Sequence, residues 1–132
     1  MKPNNVELLI KLGKINEKLR DFDEAIVNLK KALRRDKTNF VAQYRIGCLY
    51  IRNNMRDEGI EALKAAHELD PEDVDTHLKL GEIYLRDDSA LDEAEEILKK
   101  AIEIRYVLPE AHISLGRVYE KKGNEDASMK EL

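Results

Sequence analysis

The phrase Ile46-Gly47-Cys48-Leu49-Tyr50 returns 34 residues later as Leu80-Gly81-Glu82-Ile83-Tyr84, and 35 residues after that as Leu115-Gly116-Arg117-Val118-Tyr119. A fainter copy, Leu12-Gly13-Lys14-Ile15-Asn16, stands 34 residues before the first, with asparagine at the tyrosine position. Self-similarity at a fixed period of this size marks a stack of like supersecondary units. Each copy sets a large apolar residue, a glycine and then an aromatic on a helical spacing. A mid-helix glycine costs a helix roughly 1 kcal/mol relative to alanine. Its recurrence at one register predicts that a second helix lies close to it in every copy.

The remainder of the unit can be measured from the glycine. Twelve residues after it stand Ala25, Gly59 and, with one residue inserted, Ala94. Sixteen after it stand Leu29, Leu63 and Leu98, and nineteen after it Ala32, Ala66 and Ala101, the last of each set again shifted by one. Small residues at matched places on consecutive helices allow their axes to approach while the leucines fill the gaps. The pattern closely resembles the tetratricopeptide repeat (TPR) over essentially the whole chain. The resemblance implies an all-α helix-turn-helix solenoid, with two antiparallel helices per repeat stacked into a right-handed superhelix. The first helix, A, would line a concave groove, and the second, B, the convex side.

On this register the chain divides into about three complete repeats and a partial fourth. Residues 1–5 form the tail of a preceding repeat, with Met1 as an added start. Repeats then occupy 6–39, 40–73, 74–108 (with the one-residue insertion) and 109–132. Helices are predicted near 6–19 and 23–35, near 40–52 and 57–69, near 74–86 and 91–104, and from Pro109 to about Lys122. Asp23 and Glu24 at the start of the first helix B, with Lys30, Lys31, Arg34 and Arg35 at its end, suit the helix dipole. Asp70-Pro71-Glu72-Asp73 closes the second repeat, since proline cannot continue the hydrogen-bond ladder. Asp87-Asp88-Ser89-Ala90 carries the insertion on a surface loop, and Gly123-Asn124 turns into a last helix B starting near Glu125. Both ends are thus expected to be those of a segment of a longer array. Ile113, Leu115 and Val118 would then have less cover than their counterparts, and the ends would favour self-association.

Composition fits thin helical layers rather than a deep core, with 38% charged residues and only 5% aromatics. A formal net charge of −4 gives no reason to expect nucleic-acid binding. A single cysteine excludes an intrachain disulfide and fits a reducing compartment such as the cytoplasm. No apolar run has transmembrane length and no secretory signal is present, so membrane insertion is not expected.

The resemblance places the binding residues on helix A. Three residues before each glycine stand Ile10, Tyr44, Leu78 and Ile113, an apolar ladder for a groove floor. Two before are Lys11, Arg45, Lys79 and then Ser114; five after are Lys18, Arg52, Arg86 and Lys121, basic in every copy. One after are Lys14, Cys48, Glu82 and Arg117; six before are Glu7, Val41, Asp75 and Glu110. An apolar floor between basic rows suits an extended or helical partner segment with acidic groups. The carboxylate-clamp subset of the family, which grips the C-terminal carboxylate of heat-shock chaperones, would need lysine at Ile10, asparagine at Lys14 and Arg45, lysine at Asp75 and arginine at Lys79. Only Lys79 comes near, so a chaperone tail is not the expected partner.

Other chemistry finds little support. His77 and His112 share one repeat position, which normally holds a packing residue, and His67 follows no ligand spacing; no metal site is expected. Cys48 has no basic-plus-histidine setting to activate it. Neither a phosphate loop nor a nucleophile motif occurs, so no cofactor and no catalysis are expected within these residues. The sequence therefore points to a protein-interaction module binding a partner peptide or helix. Its rivals are a self-associating segment of an assembly scaffold, and the substrate-recruiting arm of an enzyme whose catalytic domain lies elsewhere.

Overall fold

The computed structural model describes residues 4–123. Among these the chain folds into α1 (Asn4–Lys18), α2 (Phe22–Arg35), α3 (Phe40–Arg52), α4 (Arg56–Leu69), α5 (Val74–Leu85), α6 (Leu91–Ile104) and α7 (Pro109–Lys121). No strand occurs among the described residues. The fold is an all-α helical repeat array that divides into two compact units, the first ending at Pro71 and the second beginning at Glu72. Helix α1 starts at Asn4, so Asn4 and Asn5 belong to the first helix rather than to a preceding tail. The expected last helix B, from Glu125, lies outside the described residues.

Helix starts follow local polar chemistry. The Asp21 carboxylate accepts from the Glu24 amide at the head of α2, and Asn39 accepts from the Ala42 amide at the head of α3. At the head of α5, Asp73 accepts from both the amide and the hydroxyl of Thr76. Such caps satisfy backbone donors that the helix itself leaves unpaired. The heads of α4, α6 and α7 have no side-chain cap, and α7 instead begins on Pro109, whose fixed φ suits a first turn.

The turns between first and second helices differ. After α1 and α3 the chain reverses through left-handed residues, Arg20 at φ 63° and Asn54 at φ 61°. Gly123, after α7, has φ 68°. After α5 the inserted residue gives another solution: a 3-10 turn over Asp88–Ala90, whose Ser89 amide and hydroxyl both donate to Asp87.

The repeated glycine sits where the sequence predicts a close approach. A Cβ on Gly47 would lie 2.7 Å from Leu63 Cγ, and one on Gly81 would lie 2.5 Å from Leu98 Cδ2. The leucine sixteen or seventeen positions after each glycine therefore fills the space that the absent side chain leaves. Gly59 faces Ile51 in the same way, at 2.5 Å. In the fourth copy no atom of the described residues lies within 4 Å of where a Gly116 Cβ would be.

Each unit has its own apolar core. That of the first includes Ile10, Ala25, Leu29, Ala32, Ala42, Ile46 and Leu49; that of the second includes Leu85, Ala94, Leu98, Ala101, Ala111 and Val118. Val118 is fully buried, contrary to the expectation of thin cover, because it packs into this core. Ile113 is exposed and Leu115 half-buried. The asparagine that replaces tyrosine in the first copy also has a structural partner: the buried Asn28 amide of α2 donates to Asn16 Oδ1 at 2.8 Å.

Candidate functional site

In the first unit, α1 and α3 carry the predicted binding residues. Ile10 is a core residue rather than part of a groove floor, since its position on α1 turns it into the cluster with Ala25 and Leu29. Lys11, Lys14 and Lys18 are exposed and make no ion pair among the described residues. Tyr44 is half-buried, its ring stacked on Phe40 with centroids 6.0 Å apart, and Cys48 one turn on is also half-buried.

Arg45 and Arg52 have a different role from the lysines. Both reach back from α3 to one carboxylate of α1: Arg45 Nη1 lies 3.2 Å from Glu17 Oε1, and Arg52 Nη1 lies 3.4 Å from Glu17 Oε2. The Arg52 guanidinium also lies 5.8 Å from the centroid of the Phe22 ring, near which Arg20 stands at 5.7 Å. Arg45 and Arg52 thus pin the two first helices together before they can serve a partner. Glu17 was not among the predicted residues, and its column does not single it out. Four after the glycine, the second and third copies hold apolar Ile51 and Leu85, whereas the first and fourth hold Glu17 and Glu120.

In the second unit, α5 and α7 frame a recess of about 670 Å³. It brings together Arg86, Arg117 and Lys121 from the predicted rows. Glu82, Leu85, Ser114 and Glu120 complete its lining. Lys121 Nζ donates to the Leu85 carbonyl at 2.9 Å and lies 3.8 Å from Asp88, which fixes its stem along the rim. Arg86 and Arg117 are exposed and without an ion pair among the described residues. Lys79 is exposed beside the half-buried Leu78, whose side chain packs on the unit's core; neither it nor Ile113 lines the recess.

A second polar cluster ties α6 to α7 away from that recess. Glu95 accepts from Lys122 at 2.6 Å and pairs with Lys99 at 2.7 Å; Lys122 also pairs with Asp92. Hydrogen bonding from Lys122, then from Lys99, holds the Glu95 carboxyl down at about 2; Glu95 in turn raises Lys99, and Asp92, then Glu95, raise Lys122. His77 is buried and its Nδ1–H donates to the Asp73 carbonyl at 2.8 Å, while His112 is exposed with Nε2 3.1 Å from the Tyr106 carbonyl. No group of three or more His, Cys, Asp or Glu side chains suited to a metal ion occurs among the described residues. No helix there is long and apolar enough to cross a membrane.

Family models described as Tetratricopeptide repeat match residues 6–39 and 44–106. A crystal structure of MamA protein is 35% identical, with a TM-score of 0.88, covering 98% of this chain and 70% of that one. A second MamA crystal structure, also 35% identical at TM-score 0.88, covers 97% and 74%. The chain belongs to the tetratricopeptide repeat family. Fold similarity extends to the first TPR of Spaghetti (RPAP3), solved bound to the HSP90 peptide SRMEEVD: 19% identity, TM-score 0.83, 91% of this chain and 94% of that one. A search of curated protein sequences returned no match.

As TPR helices, α1, α3, α5 and α7 are the first helices of their repeats, and α2, α4 and α6 the second. At the places where a carboxylate clamp would set basic and amide groups, this TPR chain has the buried Ile10 and the acidic Asp75.

Proposed function

We propose that the chain is a protein-interaction module that takes acidic, partly apolar segments of a partner on the first-helix face of each unit. The observation that carries this is the set of exposed cations without ion pairs among the described residues: Lys11, Lys14 and Lys18 on α1, and Arg86 and Arg117 at the recess of α5 and α7. Cations that have no internal anion are those a partner can engage without first breaking a pair. In the first unit, half-buried Tyr44 on α3 offers an aromatic surface of the kind that often dominates binding energy. Peptide binding by the structurally similar RPAP3 repeat supports the use of this fold, while the departures at Ile10 and Asp75 argue for a different ligand from the HSP90 tail.

The test is a titration with a synthetic peptide rich in glutamate and leucine, alongside the HSP90 peptide SRMEEVD. The first should bind with an association rate that falls as salt rises, and Lys14→Glu with Lys18→Glu should weaken it about tenfold. Reversal of Lys31 and Lys64, on second helices, should leave binding unchanged, and SRMEEVD should bind more weakly than the first peptide. Equal losses from the two pairs of reversals would sink the proposal.

One observation favours self-association as a second reading. Leu8, Leu12 and Ile15 form an i, i+4, i+7 stripe on α1, with exposures of 54%, 39% and 52%, and Leu19 just after the helix is 72% exposed. Sedimentation should then show concentration-dependent association that Leu12→Glu with Ile15→Glu removes. A strict monomer at high concentration would dismiss it.

A further inference from the structure

Helix α3 has a second working side. Gln43, Ile46 and Tyr50, at i, i+3 and i+7, turn away from Tyr44 and Arg52 and look into a crevice of about 510 Å³ between α2 and α4. Its floor is apolar, made by Leu33, Ile46, Tyr50 and Ala62. One wall, from α2 and the residues after it, is basic, with Lys30, Arg34 and Lys37; the other, from α4, is acidic, with Glu58 and Glu61. The Lys30 ammonium stands 5.9 Å from the Tyr50 ring centroid.

The two walls do not close on each other. None of these five charged side chains makes an ion pair among the described residues, and all five are exposed. Elsewhere, opposite charges that meet across helices do pair, as at Glu17 with Arg45 and at Glu95 with Lys122. Gln43 also lines the crevice. Its column holds Leu9, His77 and His112 in the other copies, and its own amide reaches sideways toward the Lys37 carbonyl at 3.4 Å.

We propose that this crevice docks a partner peptide segment with a fixed order of chemistry across it: acidic, apolar, basic. Carboxylates of the segment face Lys30, Arg34 and Lys37. One leucine- or phenylalanine-sized side chain lies on the floor formed by Ile46 and Tyr50. A lysine or arginine of the segment faces Glu58 and Glu61. The charge pattern selects this occupant over an anionic membrane or a nucleic acid, because the glutamate wall would repel either. The volume lies within the range of roughly 300–1,000 Å³ typical of ligand sites, enough for one large side chain and its flanking backbone. This site is separate from the first-helix faces, so it stands or falls without them.

A displayed library of random peptides, selected on the full chain, provides the test. The recovered peptides are then measured on Arg34→Glu with Lys37→Glu, and on Glu58→Lys with Glu61→Lys. All four side chains are exposed, and circular dichroism checks that the helices persist. The expected peptides carry an apolar centre flanked by acids on one side and bases on the other, and each double variant weakens them at least about tenfold. Ile46 and Ala62 amides should shift in NMR spectra on binding. Recovery of no peptide would overturn the proposal. So would peptides that bind both variants as they bind the parent, or uniformly acidic peptides that ignore the Glu58 and Glu61 reversal.

Discussion

The first unit, α1 to α4, and the second, α5 to α7, are built on one repeat template but place their ionic links differently. In the first, a single carboxylate, Glu17, joins the two first helices by accepting from Arg45 and Arg52. In the second, Glu95 with Lys122 and Lys99 joins a second helix to the next first helix, and Arg86 and Arg117 at the recess make no ion pair among the described residues. The template is carried by glycine, alanine and leucine, which repeat. The charges that tie neighbouring helices need only one acceptable solution per interface, and each unit has found its own. A cation at a given column is therefore tied to a carboxylate of a neighbouring helix in one copy and without an ion pair among the described residues in another.

The sharpest way to strain the shared template is to fill its glycines. Gly81→Leu would drive a side chain into Leu98 Cδ2 and Cγ, 2.5 and 2.8 Å from the Cβ position, and should cost at least about 1–3 kcal/mol through overpacking. Gly116→Ala should instead be neutral or stabilising by about 0.5–1 kcal/mol, because it removes a helical glycine that has no close neighbour among the described residues. Thermal unfolding followed by circular dichroism reads both. If the two substitutions had the same sign and size, the difference between the copies would be lost.

That difference also marks what the sequence could reveal. Helices α3 and α6 are legible to the residue, since both follow from the glycine register and sharp polar boundaries. The closeness of Gly47 and Gly81 to Leu63 and Leu98 is legible too, because a costly residue repeated in phase requires a packing reason. Arg86 and Lys121 were readable as members of one basic row and Arg117 came from a mixed column, and the fold brings these three into one recess. The diversion of Arg45 and Arg52 to Glu17 was not read, since it depends on how near α3 lies to α1. The left-handed Arg20 was hidden as well: arginine has no preference for that conformation, whereas Asn54 and Gly123 do.

The ionic links themselves should separate the units by pH. Glu95 has its folded value lowered from 4.5 to about 2, so its contribution is present above the unfolded value and is lost as pH falls through that window. The stability difference between the parent and Glu95→Gln should therefore be full near about pH 6 and shrink progressively below about pH 4. In the first unit, Glu17→Gln tests a link between exposed and half-buried partners, worth about 1 kcal/mol or less. A double-mutant cycle of Glu17→Gln with Arg45→Ala should give a coupling of that order, while Glu95→Gln with Arg45→Ala should be additive. Coupling of equal size in both cycles would contradict the assignment of separate links.

The smallest effects belong to the turns, and they differ in sign. A left-handed conformation costs a residue other than glycine or asparagine roughly 1–2 kcal/mol. Arg20→Gly relieves that strain, but it adds freedom to the unfolded chain and removes the guanidinium 5.7 Å from the Phe22 ring centroid. The net expectation is stabilisation by roughly 0.5 kcal/mol or less, with Asn54→Gly near zero because asparagine already tolerates the conformation. The third turn has no such residue to relieve. Ser89→Gly there would remove the hydroxyl that donates to Asp87 at 2.7 Å and loosen the unfolded chain, so it should destabilise by about 0.5–1 kcal/mol. Urea unfolding of the three variants, compared at one fixed m-value, resolves the signs. Stabilisation by Ser89→Gly would mean that the inserted turn is strained like the first, and that its extra residue did not replace the left-handed step.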